Sequence, residues 1–93
     1  MAEYRFHWWS SRAEAKAMPS VEIEAASPLA GAALALRHFR QEGYDIDAPL
    51  AHVDLVGPAG AKRMLLIDEV REWLHDPKQA IFVRDQDLGD LVR

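Results

Sequence analysis

The stretch from residue 50 to residue 74 constrains the fold most, because it predicts strand, turn, strand and helix with almost no intervening residues. Apolar and polar residues roughly alternate over 52–56, which is typical of a strand with one buried face. A second short run over 62–67 has Met64 and Leu66 on one face and Arg63, Leu65 and Ile67 on the other. Between them, the turn GPAG combines the fixed backbone angle of proline with the conformational freedom of glycine. We therefore predict an antiparallel hairpin at this position.

The second strand of this hairpin ends with apolar residues on both faces, so we predict that it lies in the centre of a sheet or beneath a helix. Asp68 follows at the position of a helix N-cap, with two glutamates in the first turn, where negative charge suits the helix dipole. Apolar residues at spacing i, i+3, i+4 predict the buried side of this helix: Val70, Trp73 and Leu74.

The N-terminal half predicts a second pair of strands followed by a helix. Residues 4–9 and 21–25 alternate as strands, and residues 10–20 are predicted to form the long loop that joins them. Ser27 and Pro28 match an N-cap followed by proline in the first helical turn. Gly43 stands where a glycine ends a helix, so we expect that helix to run to about residue 41.

The C-terminal segment predicts a further short helix. Asp76 and Pro77 repeat the helix-start pattern, which gives a helix to about Asp85, and Leu88 and Leu91 indicate a last helical turn against the core. The element order is therefore β-β-α-β-β-α-α. We predict an α+β fold of one four-stranded, mainly antiparallel sheet with helices on one face, in an order that the sequence does not reveal.

The composition is that of a single small domain covering residues 1–93. The absence of cysteine excludes disulfides and thiol nucleophiles, and it fits a reducing cytoplasm. No apolar run approaches the roughly 18 residues of a membrane span, and the N-terminus lacks the apolar core of a signal peptide. We predict a cytoplasmic protein without a membrane partner, and the net charge of −4 argues against a nucleic-acid partner.

The sequence contains no recognisable catalytic, cofactor or metal motif, so we predict no catalytic residue, cofactor or metal ligand. The four histidines are not spaced as ligands on one element, and GPAG joins strand to strand without the lysine of a phosphate-binding loop. His52 and Asp54 lie on one face of a predicted strand and could form an imidazole–carboxylate pair. Such a pair would need a cleft and a substrate to act in acid–base catalysis.

The first strand carries the candidate binding residues, because both of its faces are aromatic. If Tyr4 and its alternate neighbours face the core, then Arg5, His7 and Trp9 face the other way. Tryptophan beside arginine is typical of protein interfaces. Arg5, His7 and Trp9 are therefore our predicted partner-binding residues, and Trp9→Ala is expected to disrupt association without unfolding the protein.

We favour a small non-enzymatic protein-interaction module, an adaptor, inhibitor or accessory subunit, and a homodimer joined through a sheet face or edge is its simplest form. A variant of this hypothesis uses acidic residues to mimic nucleic acid: Glu22, Glu24, Asp45 and Asp47. The first alternative is a nucleic-acid-associated regulator that uses the basic residues of the C-terminal third: Lys62, Arg63, Arg71, Lys78, Arg84 and Arg93. The second is a small enzyme with an active site around His52 and Asp54 at a subunit interface.

Overall fold

The computed structural model describes residues 1–9, 19–48 and 50–92. In these residues four strands form one sheet: β1 (Ala2–Trp9), β2 (Ser20–Ala25), β3 (His52–Val56) and β4 (Lys62–Leu66). The strand order is β2-β1-β3-β4, and every neighbouring pair is antiparallel. The predicted α+β class, the four antiparallel strands and the helices on one face are confirmed, and the structure adds the strand order.

The helical layer consists of α1 (Pro28–Gln41), α2 (Ile67–His75), a 3-10 turn (Pro77–Gln79), α3 (Ala80–Asp85) and α4 (Gly89–Val92). Both predicted ends of α1 are confirmed. The Ser27 hydroxyl accepts a hydrogen bond from the Ala30 amide at 3.2 Å. At the other end, the Gly43 amide donates to the Arg40 carbonyl and the Tyr44 amide donates to the Phe39 carbonyl. This pattern is a Schellman motif, and Gly43 adopts the positive φ of 96° that it requires.

The core lies between the sheet and α1. Tyr4, Phe6 and Trp8 point from β1 toward the helices, and the ring of Trp8 packs 5.9 Å from that of Phe39. Residue 31 is a glycine because α1 approaches β1 closely: a Cβ atom there would lie only 3.0 Å from the Phe6 ring. Leu65, Val70 and other apolar side chains extend this core under α2.

One prediction about the organising stretch is wrong. Helix α2 begins at Ile67, directly after β4, and its N-cap Leu66 offers no side-chain hydrogen bond, so Asp68 lies in the first turn and not at the cap. Of the two predicted positions of β4, the one beneath a helix is confirmed, because Leu65 is buried under α2, and the central one is not, because β4 is an edge strand. Its other face is uncovered, since Met64 and Leu66 are 54% and 43% exposed. Apolar residues on both faces of this strand therefore do not indicate burial on both faces.

The other predicted elements fall close to their expected positions. Residues 10–18 of the predicted long loop, together with Pro49 and Arg93, lie outside the described residues. The predicted C-terminal helix is divided between the 3-10 turn and α3, and the Asp76 carboxylate caps the turn by accepting from the Lys78 amide at 2.9 Å. No helix in the described part of the chain has both the length and the apolar character needed to cross a membrane.

Arginine side chains fasten the C-terminal segment to the rest of the domain. Arg71 on α2 donates through Nε to the Leu91 carbonyl at 3.1 Å and pairs through its other end with Asp47. Arg37 on α1 donates to the Gln86 carbonyl. Leu91 is thereby held against the core, where it is almost completely buried.

Candidate functional site

The candidate site is the face of the sheet opposite the helices, which we call the open face. No described element packs on it. Because side chains alternate along a strand, the register assigns one set of residues to this face. They are Glu3, Arg5, His7 and Trp9 of β1; Ser20, Glu22 and Glu24 of β2; His52, Asp54 and Val56 of β3; and Lys62, Met64 and Leu66 of β4.

One end of the open face is apolar and aromatic. Trp9 lies directly opposite His52, and His52 lies directly opposite Leu66, so these three side chains form one row across the sheet. The Trp9 and His52 rings stack with centroids 5.0 Å apart and an interplanar angle of 30°. Met64 follows two residues along β4 and is 54% exposed. This end is less polar than the usual solvent-facing side of an antiparallel sheet.

Leu50 extends this apolar end beyond the strands. Its side chain is 73% exposed, and it shares the lining of a hollow of about 270 Å³ with Leu66. Its φ of 61° is a left-handed value that leucine rarely adopts. The Leu50 carbonyl oxygen lies 3.1 Å from Nδ1 of His52. This contact connects the strained residue to the row of Trp9.

The predicted imidazole–carboxylate pair is present. His52 Nε2 lies 3.4 Å from Asp54 Oδ1, while His52 Nδ1 faces the Leu50 carbonyl, so both ring nitrogens point at oxygen atoms. The two contacts and the stacked Trp9 ring fix the orientation of the imidazole. A depression of about 500 Å³ on the open face includes Asp54 and His7 in its lining but not His52. The histidine that shares this depression with Asp54 is therefore His7, which the sequence did not pair with it.

The other end of the open face is charged. The Arg5 guanidinium forms an ion pair with Glu22, and both side chains are about half exposed. Its hydrogen bond to Glu22 lowers the pKa of that carboxyl below the ordinary value of 4.5, with a smaller contribution from Glu3. The Glu22 carboxylate in turn raises the pKa of Glu3, first through a hydrogen bond and then through charge repulsion. Glu24 stands beside them, so this corner carries three carboxyl groups and one guanidinium.

The structure places all three predicted binding residues on the open face. Arg5, His7 and Trp9 follow one another along β1, with Arg5 exposed and the other two half-buried. The sequence pattern did not reveal that three residues of β4 belong to the same face: Lys62, Met64 and Leu66. Their alternation along β4 was visible, but nothing local showed that β4 lies two strands away from β1. Leu50 gave no sequence signal at all.

The basic residues of the C-terminal third are spread over different elements. Lys62 and Arg63 on β4 line the depression with Asp54, whereas Arg71 is occupied by Asp47 and the Leu91 carbonyl. Lys78 and Arg84 lie on the 3-10 turn and α3. Within the described residues, no group of three or more His, Cys, Asp or Glu side chains is placed to hold a metal ion.

No family model, no curated protein and no solved structure matches this chain.

Proposed function

We propose that this chain is a small non-enzymatic protein-interaction module, an adaptor, inhibitor or accessory subunit, and that it binds its partner through the open face. One observation carries the proposal. Trp9, Met64 and Leu66 form an apolar end on a sheet face against which no described element packs. Each of these side chains would lose water-exposed apolar surface on contact with another protein, which favours association.

The composition of the face supports the same conclusion. Tryptophan, methionine and arginine are enriched in protein interfaces, and interfaces place apolar residues inside a polar rim. Here Trp9, Met64 and Leu66 are bordered along the strands by Arg5 and Lys62. Trp9 is held in one orientation by the His52 ring, so little side-chain freedom remains to be lost on binding.

The proposed partner is a protein, which can be a different chain or a second copy of this one. The His52–Asp54 contact orients the imidazole ring. An oriented imidazole fits a binding role and the enzyme hypothesis equally. The basic residues within the described part of the chain lie on four different elements, and Arg71 is paired with Asp47, so we favour the protein-interaction hypothesis over the nucleic-acid one. The cytoplasmic location stays a prediction.

Site-specific photocrosslinking in the expressing cells tests this function. A benzophenone amino acid replaces Met64 on the open face in one variant and Ile81 on α3 in the other. The two positions are matched, because both are apolar and more than half exposed, at 54% and 64%. We expect covalent adducts with protein from position 64 and few or none from position 81.

A second substitution adds specificity to this test. Trp9→Ala, combined with the crosslinker at position 64, should strongly reduce the adducts, because Trp9 lies on the same face and is the largest side chain there. Circular dichroism confirms that the combined variant stays folded. Equal adduct yields from positions 64 and 81 would refute the open face as the binding surface.

A further inference from the structure

We propose that the open face binds the open face of a second copy of this chain, about a two-fold axis that runs parallel to the strands between β1 and β3. This inference rests on the proposed function and names its partner. The two sheets would stack with their strands nearly aligned, as in other face-to-face sheet packings. The interface would be isologous, so each contact between two different residues occurs twice.

Charge is distributed unevenly across the strands of the open face. The β2 side of the face is acidic, since Glu22 and Glu24 lie on β2 and Glu3 lies next to them on β1. The β4 side carries a positive charge on the open face, at Lys62; Arg63 is exposed as well, but it alternates to the other face. The row that contains Lys62 therefore ends in a carboxylate, Glu22, at one edge of the sheet and in an ammonium group, Lys62, at the opposite edge.

The proposed axis brings the oppositely charged edges of two open faces together. Rotation about this axis places β2 of one subunit opposite β4 of the other, and β1 opposite β3. Each row of residues keeps its position along the strand direction. Glu22 and Lys62 occupy the same row, so Glu22 meets the partner subunit's Lys62. In the next rows, His7 meets the partner subunit's Asp54, and Trp9 meets the partner subunit's His52. Opposite charges thus meet in the row of Glu22 and Lys62, His7 meets a carboxylate in the next row, and two aromatic rings meet in the row of Trp9.

A two-fold axis perpendicular to the strands gives a poorer match. It would exchange the two ends of the face and bring the row of Trp9 against the row of Glu3 and Glu24. Apolar and aromatic surface would then cover carboxylates, which costs free energy because the charged groups lose water without gaining a partner. The arrangement of residues on the face therefore selects the axis parallel to the strands.

The area of the face determines how strong such a dimer is. Four strands of five to eight residues form a face of roughly 19 Å by 20 Å, using spacings of about 4.8 Å between strands and about 3.3 Å per residue. Two such faces with their side-chain relief bury about 1,000 Å², which is near the lower end for specific interfaces. The structure thus points to a dimer that dissociates on dilution.

Light scattering on a sizing column, over a range of protein concentrations, tests this inference. The chain has a mass of 10.5 kDa, so a dimer has twice that mass. We expect the native protein to approach the dimer mass as concentration rises. Lys62→Glu and Glu22→Lys should each remain near the monomer mass, because each places like charges opposite one another in both symmetry-related pairs.

An equimolar mixture of the two charge-reversed variants provides the decisive measurement. In a mixed dimer, Glu22 of the Lys62→Glu chain meets the unchanged Lys62 of the Glu22→Lys chain. The second pair joins the two substituted positions, whose introduced charges are also opposite in sign. The mixture should therefore recover the dimer mass although each variant alone does not. Lys78→Glu is the matched control: it makes the same charge change on the helical side, at an exposed residue, and should behave like the native protein.

Three results would overturn the inference: a native protein that stays monomeric at every concentration, a Lys62→Glu variant that dimerises as the native protein does, or a mixture that stays monomeric. Circular dichroism of each variant separates loss of association from loss of folding. The photocrosslinking test distinguishes failure of the homodimer from failure of the proposed binding function. A monomeric native protein with adducts from position 64 to a different protein would refute the homodimer and leave the binding function intact, whereas the absence of both would refute both.

Discussion

At the scale of single residues, the charged corner of the open face contains two neighbouring carboxyl groups, of which only one is paired with the Arg5 guanidinium. Arg5 pairs with Glu22, and Glu22 in turn lies within hydrogen-bonding reach of Glu3. The pKa of Glu22 is lowered and that of Glu3 is raised, so the two carboxyls titrate on opposite sides of the ordinary value of 4.5. Position on the sheet, and not residue type, makes these two glutamates different.

The two pKa shifts affect stability with opposite signs. The lowered pKa of Glu22 stabilises the folded protein above pH 4.5, and this contribution is lost as the pH falls through the folded pKa. The raised pKa of Glu3 stabilises the folded protein below pH 4.5, and that contribution is lost as the pH rises through its folded pKa. Unfolding measurements near pH 4.5 would therefore record only the net change in the free energy of unfolding, in which the contributions of Glu22 and Glu3 partly cancel.

Carbon-13 NMR of the individual carboxyl groups resolves them. We expect Glu3 to titrate at a higher pH than Glu22 in the native protein. Arg5→Gln should raise the midpoint of Glu22 toward 4.5, because its largest stabilising contact, the hydrogen bond from Arg5, is removed. Coinciding midpoints for the two groups in the native protein would show that they do not interact.

At the scale of elements, local patterns predicted the ends of α1 well and the environment of β4 only in part. Ser27 and Gly43 act through hydrogen bonds to neighbours only a few residues away, so their patterns carry the whole cause. The exposure of Met64 and Leu66 depends on β4 being at the edge of the sheet, which is decided by pairing with β3 and by the absence of a further strand among the described residues. No local pattern contains that information.

The start of α2 shows a related limit. Asp68 is a good capping residue, but β4 passes directly into the helix at Ile67. Burial of Ile67 and Leu65, which are 6% and 0% exposed, requires this register at the junction. Packing therefore determines where the helix begins, and the chain forgoes the side-chain cap, whose contribution is about 1 kcal/mol.

The contact between α1 and β1 leads to a prediction at this scale. Gly31→Leu should lower the free energy of unfolding by about 3 kcal/mol, because the new side chain must enter the space of the Phe6 ring, which is fully buried. Gly89→Leu is the matched control, since no atom lies within 4 Å of a Cβ atom placed there. Urea unfolding measures both. A Gly31→Leu variant as stable as the Gly89→Leu variant would show that this contact is not tight.

At the scale of the whole molecule, the sheet has one covered face and one open face. The sequence patterns predicted only part of the set of residues on the open face. Alternation along β1 correctly places Arg5, His7 and Trp9 together. The rows that join Trp9 to Leu66 and Arg5 to Lys62 depend on β3 lying between β1 and β4. That order brings together residues more than 50 positions apart in the sequence, which is why the candidate surface could be predicted only in part.

The same organisation predicts how the stability of the protein depends on its concentration. Only folded chains can form the dimer, so a higher protein concentration favours the folded state by mass action. The native protein should therefore melt at a higher temperature as its concentration rises. Each tenfold increase above the dissociation constant adds about 0.7 kcal/mol per chain, which is about 3 °C for a domain of this size. Lys62→Glu, whose charge is reversed within the interface, should show a melting temperature that is independent of concentration. Differential scanning calorimetry compares the two proteins over a hundredfold range, and an equally constant melting temperature in the native protein would contradict the dimer.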